Sequence, residues 1–374
     1  MTRLQMGAAA LGLMIGALGA VPAQAWDRSD VDILTVLPDI APGVKSSVEG
    51  LAVGPDGNIY VPSFGFNASG SISSTSNAVL FTIAPNGRVI RQVTIANSSP
   101  HTLGLAFNPV THQLWLLDFG AQKVLQVDPT NGASTVLAGP IANAGLNALT
   151  FDPAGNGYVS DSFNGTIWQI PPHGGSYTAF TGGPLFGNGS GTLSPPFGAN
   201  GVEFNNEYTK MYVANTAFHH IVQIPVTLNH GTAVASGAPS ILITGINAPD
   251  GIAIDRQDNI WICANQEDEI VVVNPNAATN PVDGTPLAKV IAKLGDFDGL
   301  DRNGIPHGFL FPASLAFSND GSTLYVSNLE LFLQYAGAPE PAIDSAWTLQ
   351  VKGYTVSKVP AVIPRFPTNS GFGD

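Results

Sequence analysis

Six times between Glu49 and Leu329 the chain repeats one pattern: a short apolar run, a polar turn carrying Gly, Asn or Pro, and a second apolar run holding Tyr or Trp. The copies read EGLAVGPDGNIYVPSF from Glu49, LGLAFNPVTHQLWLLDF from Leu103, NALTFDPAGNGYVSDS from Asn147, NGVEFNNEYTKMYVANT from Asn200, DGIAIDRQDNIWICAN from Asp250 and ASLAFSNDGSTLYVSNL from Ala313. Their starts lie 54, 44, 53, 50 and 63 residues apart. A period of that size means one supersecondary unit that buries its face on the next copy. Third strands follow most hairpins, as VLFTI from Val79, KVLQV from Lys123, TIWQI from Thr166, HIVQI from His220 and EIVVV from Glu269. The expected fold is all-β: a six-bladed β-propeller of four-stranded antiparallel blades. With 42 Gly and 29 Pro the chain is dense in turns, and 44 % hydrophobic residues exclude disorder.

A propeller must close to remove its open edges. One short apolar strand, 32–37, precedes the first copy, and another, 347–351, follows the last. The N-terminal strand is therefore expected to complete the final blade and close the ring. Three insertions rich in Gly, Ser, Pro, Asn or Asp, at 64–78, 182–199 and 274–310, lie between blades, and one of them is expected to cover the mouth of the central channel. No linker divides residues 26–374, which read as a single domain.

The first 25 residues read separately. Arg3 precedes an apolar run from Met6 to Val21, and Ala23-Gln24-Ala25 offers a small-x-small cleavage pattern. A signal peptide over 1–25 is expected, with the mature chain starting at Trp26 in the periplasm or medium. No later stretch is long and apolar enough to anchor the chain in a membrane. Lys and Arg total 14 against 27 Asp and Glu, a net charge of −13, which repels phosphate backbones and anionic lipid and leaves a nucleic-acid partner without an electrostatic basis. The single cysteine, Cys263, excludes an intrachain disulfide, a zinc ribbon and an iron–sulfur site. A metal here must use oxygen or imidazole.

The first residue of each copy carries the chemistry, because equivalent strand starts surround a propeller axis at one height. In order these are Glu49, Leu103, Asn147, Asn200, Asp250 and Ala313. Asp, Glu and Asn make up 54 of 374 residues, so one is expected among six positions, yet four are present. Two carboxylates and two amides converging on one channel form a hard oxygen set suited to Ca²⁺, with Mg²⁺ or another divalent ion as alternative. Asn200-Gly201 and Pro249-Asp250-Gly251 are also common turn words. Glu49 and Asn147 begin no such word.

These motifs resemble the senescence marker protein/gluconolactonase family, which includes regucalcin and is related to paraoxonase, diisopropyl fluorophosphatase and strictosidine synthase-like propellers. The resemblance rests on the Glu-Gly of EGLAV, the Asn of LNALTF, the Asn-Gly of ANGVEF and the Pro-Asp-Gly of PDGIAID. It implies that Glu49, Asn147, Asn200 and Asp250 bind a catalytic calcium ion, that Asp250 matches the aspartate assigned as nucleophile in the fluorophosphatase, and that lactones, aryl esters or organophosphates are the substrate classes. Blade two departs from the regucalcin pattern. Where sugar lactonases carry an Arg and an Asn-Asp-Gly, this chain reads Pro100-His101-Thr102-Leu103-Gly104, which resembles the Pro-His of paraoxonase and makes His101 a candidate proton shuttle.

The remaining polar motifs read as structural. Asp118, Asp161, Asn215 and Asn328 end second strands, where such side chains bond turn backbone. The acidic run Asp296 to Asn303 misses the spacing of a calcium loop, and His219-His220 lacks the helical Glu of a zincin. No Gly-x-Ser-x-Gly elbow appears among the strands. The function expected is an exported calcium-dependent hydrolase of small-molecule lactones or related esters. Its rival is a non-catalytic binding propeller with a structural calcium ion.

Overall fold

The computed structural model describes residues 31–40, 44–67, 77–189, 196–279, 286–330 and 345–363. The signal peptide expected over 1–25 lies outside the described residues, as do parts of the three insertions. The described chain is nearly all strand and forms six antiparallel blades, a six-bladed β-propeller.

Blades two and three are plain four-stranded meanders: Thr102–Phe107, Leu114–Asp118, Lys123–Val127 and Ser134–Ala138, then Leu146–Phe151, Gly157–Asp161, Thr166–Ile170 and Thr178–Gly182. Blade four runs Ala199–Phe204, Lys210–Asn215, His220–Asn229 and Ser240–Thr244, with Thr232–Ala235 paired to the far half of its long third strand. Blade five is Pro249–Ile254, Ile260–Ala264, Glu269–Thr279 and Pro286–Leu294. In blade one the inner strand is broken into Val44–Val48 and Ala52–Val53, both paired to Ile59–Asn67, followed by Val79–Ile83 and Val89–Thr94. Blade six takes Pro312–Phe317, Thr323–Asn328 and Thr355–Pro360, and Asp32–Val36 lies antiparallel at its edge with Asp32 opposite Lys358 and Val36 opposite Thr355.

The third strand of blade six corrects the sequence reading. Residues 347–351 alternate as a strand would, but Ser345–Thr348 forms a single helical turn, and the strand is Thr355–Pro360. In the true strand the apolar Val356 and Val359 are three apart, so alternation points to the wrong run. Side chains of the preceding strand decide: Asn328 Nδ2 donates to Thr355 Oγ1 (3.0 Å) and Ser357 Oγ (2.9 Å), and Thr355 donates from its N–H and its hydroxyl to the buried Glu330.

The aromatic positions of the repeat are the joints between blades. The Tyr or Trp of one blade's second strand meets, edge to face, a Phe from the next blade's inner strand: Tyr60 on Phe107 (5.1 Å), Trp115 on Phe151 (5.1 Å), Tyr158 on Phe204 (5.1 Å) and Trp261 on Phe317 (5.5 Å). Such pairs add about 0.5–1.5 kcal/mol each beyond the area they bury. The hairpin turn steadies the same rings, for the hydroxyls of Tyr60 and Tyr158 and the Trp261 indole N–H donate to Asp56, Asp152 and Asp255. The core is thus a set of wedges between sheets, and the inner strands are left around an axial channel. None of the helices among the described residues is long and apolar enough to cross a membrane.

Candidate functional site

Five of the six inner strands slip register near their start: between Thr102 and Leu105, Leu146 and Leu149, Ala199 and Val202, Pro249 and Ile252, and Pro312 and Ser314. A bulge turns the extra residue out of the pleat and re-aims its side chain. The residues so re-aimed include Leu103, Asn147, Asn200, Asp250 and Ala313, and Glu49 occupies the corresponding break in blade one. Glycines let these bulges approach one another. A Cβ on Gly50 would stand 2.1 Å from the Leu103 carbonyl oxygen, one on Gly201 2.3 Å from that of Asp250, and one on Gly251 2.6 Å from that of Ala313. Only the absence of a side chain permits such contact.

Within this ring Asn147, Asn200 and Asp250 are buried and hydrogen-bonded from behind. Asn265 Nδ2 donates to Asp250 Oδ2 (3.0 Å), Asn200 Nδ2 to Thr216 Oγ1 (2.9 Å), and Asn147 Nδ2 stands 3.5 Å from Ser162 Oγ. Ser162 and Thr216 pass the link on, donating to the carbonyls of Ala199 (2.6 Å) and Pro249 (2.8 Å) in the following blade. Sequence reasoning missed this supporting ring, although its signal was present: Phe64, Phe119, Ser162, Thr216, Asn265 and Leu329 are the last residues of the six copies. Polar residues back the polar positions of blades three to five, and apolar residues back the rest. Phe64, Leu103, Ala313 and Leu329 join Leu310, Phe311, Val351 and Tyr354 in one cluster, against which Phe297 and Leu300 of the third insertion pack.

The electrostatics are those of buried carboxyls without a counter-charge. Burial lifts the Asp250 carboxyl from the ordinary 3.8 to about 7, although hydrogen bonds from Asn265 and Asn200 pull the other way. Burial, and then the neighbouring Asp250 charge, hold Glu49 well above the usual carboxylate range. Neither carboxylate is in any ion pair among the described residues. Beside them the carbonyl oxygen of Asn200, Oδ1, is buried with no hydrogen-bond partner. Two carboxylates and two amide oxygens, one of them the orphaned Asn200 acceptor, make a donor set that fits a hard divalent cation. Groups of three or more Asp, Glu, His or Cys poised for a metal are absent among the described residues, so any such ion would depend on the amides.

His101 takes a different place. It lies just ahead of blade two's inner strand, bridged to Phe64 with the rings 4.8 Å apart, and it is not among the partners of the Asp250 carboxylate, which are Asn265 and Asn200. His219 and His220 accept from or bond to backbone at Ala248 and Leu185. Asp118, Asp161 and Asn215 bond turn amides, as residues of that type do at strand ends.

A cavity of about 490 Å³ is lined by the inner strands of all six blades, and its wall includes Ala148, Glu203, Phe204, Tyr208 and Phe317. Burial pushes the Glu203 carboxyl up to about 7, while Thr150 Oγ1 (2.5 Å) and the Phe204 N–H (2.9 Å) donate to its Oε1. Sequence reasoning missed this residue as well. It is the only acid at the fourth position of the six copies, which otherwise read Ala, Ala, Thr, Ala and Ala.

A family model described as the SMP-30/Gluconolactonase/LRE-like region matches residues 193–292, a segment that contains Asn200, Glu203, Asp250 and Asn265. No curated protein sequence matches the chain. Among solved structures, the calcium-binding protein regucalcin from Agrobacterium tumefaciens is 17 % identical, with 89 % of this chain and 95 % of that one covered at a TM-score of 0.56. A gluconolactonase from Xanthomonas campestris is 14 % identical over 84 % of this chain and 86 % of its own, at 0.52. A streptogramin B lyase is 12 % identical over 88 % and 97 %, at 0.52. At these identities the likeness is one of fold. The chain is a six-bladed β-propeller that carries an SMP-30/gluconolactonase/LRE-like region over residues 193–292, which supports the family resemblance read from its motifs.

Proposed function

We propose that the chain is a calcium-dependent hydrolase of lactones or related esters, with the reaction at the ring of Glu49, Asn147, Asn200 and Asp250. The observation that carries this reading is the pair of unpaired carboxylates beside the orphaned Asn200 oxygen, an arrangement costly to bury unless a cation is held there. The gluconolactonase-like region across blades four and five and the gluconolactonase and regucalcin relatives support the lactonase class. Glu49, Asn147, Asn200 and Asp250 would hold the ion, and when bound it supplies Lewis-acid polarisation of the substrate carbonyl.

The chain's own residues supply the rest. Asn265 anchors one Asp250 oxygen, Oδ2, and Asn200 stands beside the same carboxylate, which together fix its orientation. With the ion held, that carboxylate stands ionised, as suits a group that takes a proton from water or attacks the carbonyl itself. Thr216 and Ser162 steady the two amides, and the apolar cluster around Leu103 and Ala313 limits water at one side of the ring.

Asp250→Asn tests the assignment, because it keeps an oxygen of the same size and removes the charge and the basicity. Turnover of a panel of aliphatic lactones, sugar lactones, aryl esters and phosphotriesters, measured with calcium and with chelator, is expected to fall about 10²-fold or more in the variant. Calcium occupancy is expected to persist. A wild type that binds calcium but hydrolyses nothing above the variant's background would refute the hydrolase and leave a binding propeller.

A further inference from the structure

We propose that the mouth beside the ring is a receptor for a flat aromatic group, so that the lactone or ester it takes is neutral and aryl-bearing rather than polyhydroxylated. The reaction rests on the hydrolase reading above. The binding does not.

The observation is an unbroken arc of rings on the face that bears the column. His101 lies against Phe64 (4.8 Å), Phe64 against Phe119 (6.3 Å), Phe119 against Phe163 (5.7 Å) and Phe163 against Phe197 (5.8 Å). Five aromatic side chains from blades one, two and three and from the segment ahead of blade four thus touch in series. Their positions tie them to the ring. Phe64 and Phe119 hold the supporting positions behind Glu49 and Leu103, Phe163 follows Ser162, and Phe197 precedes Asn200 by three residues. Ala217 N–H donates to the Phe197 carbonyl (2.7 Å) and Gly198 N–H to that of Ser162 (3.0 Å), which fixes the arc to the strands that carry Asn147 and Asn200.

Phe163 is 42 % exposed although it sits beside the most polar part of the molecule. It meets Phe119 edge to face (67°) and lies nearly parallel to Phe197 (21°). These are the two arrangements that ring quadrupoles favour, and a guest ring can extend the series in either way. A sugar finds less here. Ser162, Thr216 and Asn265, the polar side chains behind the column, already bond Ala199, Pro249 and Asp250, and sugar hydroxyls left without partners would weigh against binding. The net charge of −13 disfavours an anionic substrate.

The test uses the full chain and three probes: γ-phenyl-γ-butyrolactone, glucono-1,5-lactone, and 1-naphthol, which has a ring but no scissile bond. Phe163→Ala removes an exposed ring, and an unchanged melting curve checks that the fold is kept. In this variant KM for the phenyl lactone is expected to rise about tenfold with kcat little changed, and naphthol binding is expected to weaken in parallel. Phe163→Trp is expected to restore both. Hydrolysis of the sugar lactone as efficiently as the phenyl lactone, or a Phe163→Ala variant indistinguishable from wild type with both aryl probes, would overturn the receptor. If neither lactone is hydrolysed while naphthol binding still depends on Phe163, the receptor stands and the hydrolase reading falls.

Discussion

Asp250 is 4 % exposed and accepts from Asn265 on Oδ2, with Asn200 as its other partner. Its carboxyl titrates near 7 in the folded protein against an ordinary 3.8, so between those values the folded state holds a proton that the unfolded chain releases. The sign follows. In metal-free protein this group contributes stability that is fully present below about pH 4 and lost as pH rises through about 7. Glu49, raised by the same burial and by Asp250 itself, adds to the trend in the same direction. With chelator present, the melting temperature is expected to fall as pH goes from 5.5 to 8, and Asp250→Asn is expected to flatten that slope. A wild-type slope of opposite sign would mean that the carboxylates are stabilised as anions by something other than a cation. Asp250, Asn147 and Asn200 were legible in the sequence because a side chain at a strand start has only the axis to face. His101 was less so, since a residue one step outside the repeat has no fixed direction, and its place against Phe64 is set by contacts between blades.

The bulged start of the inner strand is the element that makes a column out of six separate turns. Its tolerance is small. In Gly201 the backbone stands so close to blade five that a Cβ would meet the Asp250 carbonyl oxygen at 2.3 Å and the Ile252 nitrogen at 2.8 Å. Both are backbone atoms that cannot rotate away. Gly201→Ala is therefore expected to destabilise the chain by about 1–3 kcal/mol, and to weaken calcium binding by moving Asn200 and Asp250 apart. Chemical denaturation and calcium titration of the variant check this, and a fully stable variant with native affinity would show that the two blades are not held at that distance. The glycines themselves were visible in the repeat as the second letter of four copies, but their purpose was not, because a close approach between blades involves residues about 50 positions apart. The supporting ring was hidden for the same reason. Its members end each copy, and only the fold shows that the last letter stands behind the first.

For the whole molecule, the blade count, the hairpins and the third strands could be read directly, since a repeated pattern of apolar runs and turns admits few other closed arrangements. The last blade was misread at 347–351 because that run alternates while Thr355–Pro360 does not, and the choice between them was made by Asn328 and Glu330. The insertions were legible as insertions only. That Phe297 and Leu300 lie on the Leu103 side of the ring depends on packing that no local pattern encodes. What the assembled molecule does with its charge is the question on which the account turns, for it gathers two carboxylates and two amides at one height of a chain with a net charge of −13. Calorimetric titration of calcium into chelator-stripped protein at pH 7, repeated in buffers of different ionisation enthalpy, tests this most directly. One ion is expected to bind per chain with net release of protons, because Glu49 and Asp250 must ionise to hold it, and Asn200→Ala is expected to weaken the binding at least tenfold. No binding, or binding without proton release that Asn200→Ala and Glu49→Gln leave untouched, would contradict a cation at the ring.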